Sequence, residues 1–117
     1  MLNKRKFGMI REKIAQGYLL NKGYDIIETN FYTRRGEIDI IAKKDNCIIF
    51  VEVKSRSNVT YGTPAMAVNY IKRKHMKTAS KIYLSLNNLN NSPVRFDVVE
   101  VFIKEKDYKI NHIKQIM

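Results

Sequence analysis

Apolar and polar positions follow two different periods along this chain, and the changes of period mark its elements. Residues 5 to 22 place Phe7, Ile10, Ile14 and Tyr18 at helical spacing, widened by Ala15 and Leu19, and Gly23 follows as a natural stop. That predicts an amphipathic helix. Tyr24 to Phe31 reads as a first strand, after which Thr33-Arg34-Arg35-Gly36 turns the chain. Two strongly apolar β-type runs come next, Gly36 to Ala42 and Ile48 to Lys54, separated by Lys43-Lys44-Asp45-Asn46. A hairpin turning at Asp45-Asn46 sets Lys44 against Cys47, so that paired residue numbers sum to 91 along the ladder.

In that register Asp39 faces Glu52, with Cβ atoms about 4.5 to 5.5 Å apart, and Glu37 faces Lys54. Strand alternation places Glu37, Asp39, Glu52 and Lys54 on one face, and Ile38, Ile40, Val51 and Val53 on the other. Beyond the hairpin, Ser55 to Tyr61 reads as a polar loop, and Thr63-Pro64 supplies an N-cap followed by proline at the first helical position. The helix is expected to run to about Leu86, with Val68, Ile71, His75, Ala79, Ile82 and Leu86 on its apolar face and Lys72, Arg73, Lys74, Lys77 and Lys81 elsewhere. After a loop from Asn87 to Pro93, Val94 to Ile103 forms a strand, and Tyr108 to Ile116 a last, edge strand. No repeat or linker divides the chain, so residues 1–117 are expected to form one domain. Strands apolar on both faces need helices on both sides, which predicts an α/β fold with a mixed sheet.

Charge changes the picture. The 22 Lys and Arg outnumber the 11 Asp and Glu, for a net charge of +11, a bias toward polyanionic partners and nucleic acid first of all. No run is long enough to span a bilayer and no signal-type segment opens the chain, so a cytoplasmic protein without a membrane partner is expected. Cys47 is the single cysteine, which excludes an internal disulfide and suits a small buried apolar residue.

Two carboxylates about 5 Å apart repel by roughly 3 kcal/mol at an effective dielectric of about 20. One of them stays protonated, or Lys54 neutralises the pair, or a hard divalent cation sits between them. Mg²⁺ suits the last option, because it takes one or two carboxylates together with waters and phosphate oxygens.

Asp39, twelve intervening residues, then Glu52-Val53-Lys54, behind a helix bearing Glu12, resembles the PD-(D/E)xK nuclease superfamily. Gly36-Glu37-Ile38-Asp39, Phe50-Val51-Glu52-Val53-Lys54 with Arg56, Gly62, and Arg95-Phe96-Asp97-Val98 look more closely like the small bacterial YraN-type family, itself similar to Holliday-junction resolvases. Ile38 stands where the superfamily has a proline. The resemblance implies a restriction-endonuclease-like αβββαβ core, in agreement with the order read from periodicity. It implies Asp39 and Glu52 as metal ligands, with the backbone carbonyl of Val53 as a third. Lys54 would orient water or stabilise developing charge, and Glu12 would be the helix-borne acidic residue.

The function expected is that of a Mg²⁺- or Mn²⁺-dependent DNA endonuclease hydrolysing phosphodiester bonds, in branched or single-stranded DNA during repair or recombination. The alternative is a nucleic-acid-binding module with little or no catalysis on the same fold, and a third reading is an interaction domain for another acidic partner. DNA is the expected partner and RNA the second; a homodimer through the C-terminal strand would serve symmetric cutting. Arg34, Arg35, Arg56, Lys72, Arg73 and Lys74 are candidate phosphate contacts, each also readable as an ordinary solvated charge. Tyr61, Tyr32 and Phe31 could stack on bases or simply pack. Glu12 could equally be a solvated partner of its helix neighbours. His75 is expected in the core, whereas His112 and Asp97 have no assignable role.

Overall fold

The computed structural model describes residues 4–56 and 70–117, with side chains of the first helix from Gly8 onward. The expected Phe7 contact, the loop with Tyr61 and Gly62, the Thr63-Pro64 helix start and Val68 lie outside the described residues. Helix α1 spans Lys4–Asn21, followed by strands β1 (Asp25–Thr33), β2 (Gly36–Lys44) and β3 (Cys47–Arg56). Helix α2 (Tyr70–Leu86) leads into β4 (Val94–Lys104) and β5 (Asp107–Ile113). The sheet is ordered β1-β2-β3-β4-β5, antiparallel except for the β3–β4 pair. That parallel pair requires a crossover, which α2 supplies. The result is the αβββαβ core of restriction-endonuclease-like proteins with β5 added as the edge strand. No helix among the described residues is long and apolar enough to cross a membrane.

Local chemistry sets the element ends. Gly23, at a φ of 89°, closes α1 in a Schellman motif, with Tyr24 N donating to Leu19 O and Gly23 N to Leu20 O. Asn88 does the same for α2, its φ of 55° accompanied by Leu89 N donating to Leu84 O. Asp45 and Asn46 both take positive φ, 51° and 63°, as a type I′ turn requires. The β2–β3 register follows from that turn: Lys44 pairs with Cys47 and Ile40 with Val51, each pair summing to 91.

Two apolar layers enclose the sheet. Ala15 and Leu19 of α1 are completely buried over Ile40, Ala42, Ile49, Val51, Val53, Val99 and Val101, and Cys47 packs half-buried at the margin. On the other side Ala79, Tyr83 and Leu84 of α2 cover Ile38, Ile41, Ile48 and Phe50. Tyr83 meets Phe31 and Phe50 edge-on, at 5.3 and 6.0 Å between ring centroids, and Phe50 stacks on Phe96. Each such aromatic pair contributes roughly 0.5–1.5 kcal/mol beyond its buried area.

Two expectations about faces are corrected. On α2 the buried residues are Met76, Ala79, Ser80, Tyr83 and Leu84, whereas Ile71, Leu86 and His75 are exposed. The ring contacts of Tyr83 turn the helix away from its Ile- and Leu-rich side, and His75 is no core residue. On β2, Ile38 packs toward α2, not with Ile40 toward α1. Strict alternation thus slips once between Ile38 and Ile40, at Asp39. Asn30, between the Thr29–Ile40 and Phe31–Ile38 pairs of the β1–β2 register, takes a left-handed φ of 54°, so the edge strand departs from regular β geometry beside the acidic residue.

Candidate metal centre

Asp39 lies at the end of the β2–β3 ladder, whose recorded pairs stop at Ile40 and Val51. One step beyond, its Oδ2 accepts the Val53 amide at 2.8 Å, so a side chain takes the place of a backbone carbonyl. This bond fixes the carboxylate between the diverging strands and leaves its other oxygen for a second partner. Glu52 follows Phe50 on the α2 face, and both carboxylates are 8% exposed. Burial, then the nearby Asp39, push the Glu52 carboxyl up to about 7, while Lys72 and Lys54 pull the other way. The two acids therefore lie close together, although the β2–β3 ladder ends one pair short of the Asp39–Glu52 pairing expected from the hairpin register.

Lys72 is the cation nearest to Glu52, with Nζ 3.5 Å from Oε1. It stands four residues before Met76 and so continues the buried stripe of α2 toward the end of the sheet. From periodicity Lys72 is only a candidate phosphate contact, because the Ile- and Leu-rich side of α2 and not the Met76–Tyr83 side looks like its core face. Among the described residues Glu52 Oε2 is enclosed and has no hydrogen-bond donor, its neighbour in the site being the Asp39 carboxylate. A buried carboxylate oxygen without a donor is costly, and an incoming cation removes that cost. Among the described residues no group of three or more His, Cys, Asp or Glu side chains is arranged to hold an ion. The donors here are two carboxylates, a set that fits a hard cation retaining much of its water.

Glu12 lies on the buried side of α1, since the packed face is centred on Ala15 and Leu19. Burial raises its carboxyl first, Asn30 counters by hydrogen bonding, and the charges of Asp39 and Glu37 raise it again. Asn30 thus ties Glu12 to the same acidic end. Glu37 and Lys54 form no ion pair among the described residues; Glu37 pairs in register with Tyr32 of β1. Arg34 and Arg35 are exposed on the β1–β2 turn, and Lys74 is exposed on α2. Arg73 is half-buried, and Arg56 donates from Nε to Glu100 Oε2 at 2.9 Å. The candidate phosphate contacts therefore divide into the exposed Arg34, Arg35 and Lys74, the half-buried Arg73, and two residues in ion pairs, Arg56 with Glu100 and Lys72 with Glu52. Glu100 is itself saturated, because Asn111 donates to its other oxygen.

A second polar cluster escapes the sequence reading, on the α1 face of the sheet. Asp97 is completely buried and receives Arg95 on both oxygens, at 2.9 and 2.8 Å. It also receives His112 Nε2 at 2.7 Å and the Gln115 amide at 3.1 Å. Because a carboxylate only accepts, His112 carries a proton on Nε2, and in the neutral ring its Nδ1 takes the Tyr18 hydroxyl at 3.0 Å. Arg95 Nη2 continues the chain to the Tyr24 hydroxyl at 2.8 Å. Burial works against the Asp97 charge, but the bonds from His112, Arg95 and Gln115 outweigh it and hold the carboxyl below its ordinary value. Same-face spacing of Arg95 and Asp97 in a strand was the available signal.

Comparison with known proteins follows the same residues. A family model described as uncharacterised protein family UPF0102 matches residues 11–101, a span that includes Glu12, Asp39, Glu52, Lys54 and Lys72. A UPF0102 protein of Clostridioides difficile (strain 630) is 51% identical over 112 residues, covering 96% of each chain. One from Alkaliphilus oremlandii is 49% identical over 112 residues, covering 94% of this chain and 96% of its own. One from Acetivibrio thermocellus is 46% identical over 117 residues, covering 97% and 90%.

Proposed function

The chain belongs to the uncharacterised protein family UPF0102, and from that membership and the geometry above we propose that it is a divalent-metal-dependent DNA endonuclease. One observation carries the reading: Asp39 and Glu52 are buried together where β2 and β3 part, with an orphaned Glu52 oxygen. Groups left so poorly satisfied inside a fold cluster at functional sites. Asp39, Glu52 and the Val53 carbonyl would hold Mg²⁺ or Mn²⁺, which supplies Lewis-acid activation of water and charge neutralisation at the phosphoryl group. Lys54, two residues after Glu52 on the same strand face, offers an ammonium to the developing phosphate charge. Lys72 neutralises Glu52 until a cation takes its place, and would then offer its ammonium to a substrate phosphate. Glu12, whose carboxyl is raised by burial, would serve as a proton carrier at the edge of the site.

A second reading is favoured by the Lys72–Glu52 pair, which already compensates the acidic site without a metal: a nucleic-acid-binding module that lacks catalysis. A cleavage panel of branched, duplex and single-stranded DNA in Mg²⁺ and in Mn²⁺ separates the two. Cutting is expected, and Asp39→Asn, Glu52→Gln and Lys54→Ala are each expected to lower it at least a hundredfold while DNA binding survives. Intact substrates under every condition, with salt-sensitive binding retained, would leave the binding module.

A further inference from the structure

We propose that the groove between the β1–β2 turn and the Tyr70–Thr78 stretch of α2 binds an unpaired nucleic-acid strand, with a base against Tyr70 and phosphates against Arg34, Arg35 and Lys74. This inference rests on the nucleic-acid part of the reading above and needs none of its catalysis.

The groove has a volume of about 590 Å³, and its floor is the contact between Gly36 and His75. A Cβ at Gly36 would stand 2.7 Å from the His75 carbonyl oxygen, so only glycine lets the turn seat this closely on the helix. Both walls are thereby fixed to rigid elements. Arg34, Arg35 and Lys74 are exposed, and none is in an ion pair among the described residues. Their charge is available to phosphates.

Tyr70 and Ile71 select the kind of strand. They border the same groove and are 71% and 62% exposed, an unfavourable placement for large apolar side chains among cations unless something flat covers them. A duplex offers phosphates and groove edges but hides its base faces, whereas an unpaired strand presents a face for each base. Tyr70 and Lys74 also border a second recess with Arg73, Lys77 and Met117, so cationic surface flanks the tyrosine on two sides. Glu37 directly follows Gly36 in one wall, and Lys72, which pairs with Glu52, directly follows Ile71 in the other.

The test is fluorescence anisotropy in chelator, comparing a labelled oligothymidylate with a blunt duplex of the same length. Tyr70→Ala is expected to weaken single-strand binding about tenfold and duplex binding less than twofold, and Tyr70→Phe to stay within about twofold of the parent. Replacing Arg34 and Arg35 together by Ala should reduce the slope of log affinity against log salt by about 1.4 for the single strand. Tighter binding of the duplex by the parent protein, or equal losses on both ligands in Tyr70→Ala, would overturn the proposal. Because no metal is present, a failed cleavage panel leaves this result standing, and a failed groove leaves the nuclease reading standing.

Discussion

Asp97 and Glu52 are buried one register step apart on neighbouring strands, since β3 and β4 pair Val51 with Asp97 and Glu52 with Val98. They face opposite layers, and their surroundings are opposite too. Asp97 has both oxygens filled, by Arg95, His112 and a backbone amide, and its carboxyl is held low. Glu52 has an enclosed oxygen with no donor, a second carboxylate beside it, and a carboxyl pushed up to about 7. Burial in one sheet thus produces a clasp on the α1 side and a frustrated site on the α2 side. Proteins keep such frustration where function requires it, at a cost in stability.

The largest expected effect breaks the clasp. Asp97→Ala leaves Arg95 and His112 without their buried acceptor and should lower stability by about 3–5 kcal/mol in urea denaturation at pH 7. The same change unties Gln115 and the end of β5 from the sheet. Because folding depresses the Asp97 pKa, its contribution is fully present above the unfolded carboxylate value near pH 4. It is lost as pH falls through the lower folded value. A variant as stable as the parent would remove one half of the contrast.

Glu52→Gln should act with the opposite sign. Folding raises the Glu52 pKa, so between about pH 4.5 and pH 7 the folded state holds a proton that the unfolded state has released. Stability therefore falls with rising pH across that window. In chelator the variant should gain stability on the order of 3 kcal/mol at pH 8, and the gain should vanish near pH 4.5. Thermal melts at the two pH values check it. Destabilisation at pH 8 would mean that Glu52 is as well satisfied as Asp97, and the case for a cation site would fall with the contrast.

The sequence disclosed the frustrated side more readily than the clasp. Hairpin register is a local property, set by Asp45-Asn46 and the alternation around them, so the meeting of Asp39 and Glu52 could be read directly. The order of elements was legible for the same reason. The packed face of α2 was not, because Met76 and Tyr83 win over Ile71, Ile82 and Leu86 only through the shape of the sheet beneath. Nor was the slip of Ile38, which accompanies the irregular backbone at Asn30. The clasp joins Tyr18 to His112 and Tyr24 to Arg95, partners 94 and 71 residues apart. No periodicity reports contacts of that range.

A smaller effect sharpens the comparison further, through the cations. Arg95 is fixed by a planar fork on Asp97 and by Tyr24, whereas Lys72 reaches Glu52 at 3.5 Å on a flexible stem with 31% of its side chain exposed. A guanidinium forked onto both oxygens suits permanent neutralisation; an ammonium 3.5 Å from Glu52 leaves that carboxylate open to an incoming cation. Lys72→Gln should then cost about 1 kcal/mol more at pH 8 in chelator than near pH 4.5, where Glu52 is neutral in both proteins. Removing the ammonium also removes a repulsion felt by any arriving metal, so calorimetric Mn²⁺ binding should become several-fold tighter. Weaker Mn²⁺ binding in Lys72→Gln would show that the lysine supports the ligands instead of occupying the ion's place, and the exchange of one cation for another would have to be abandoned.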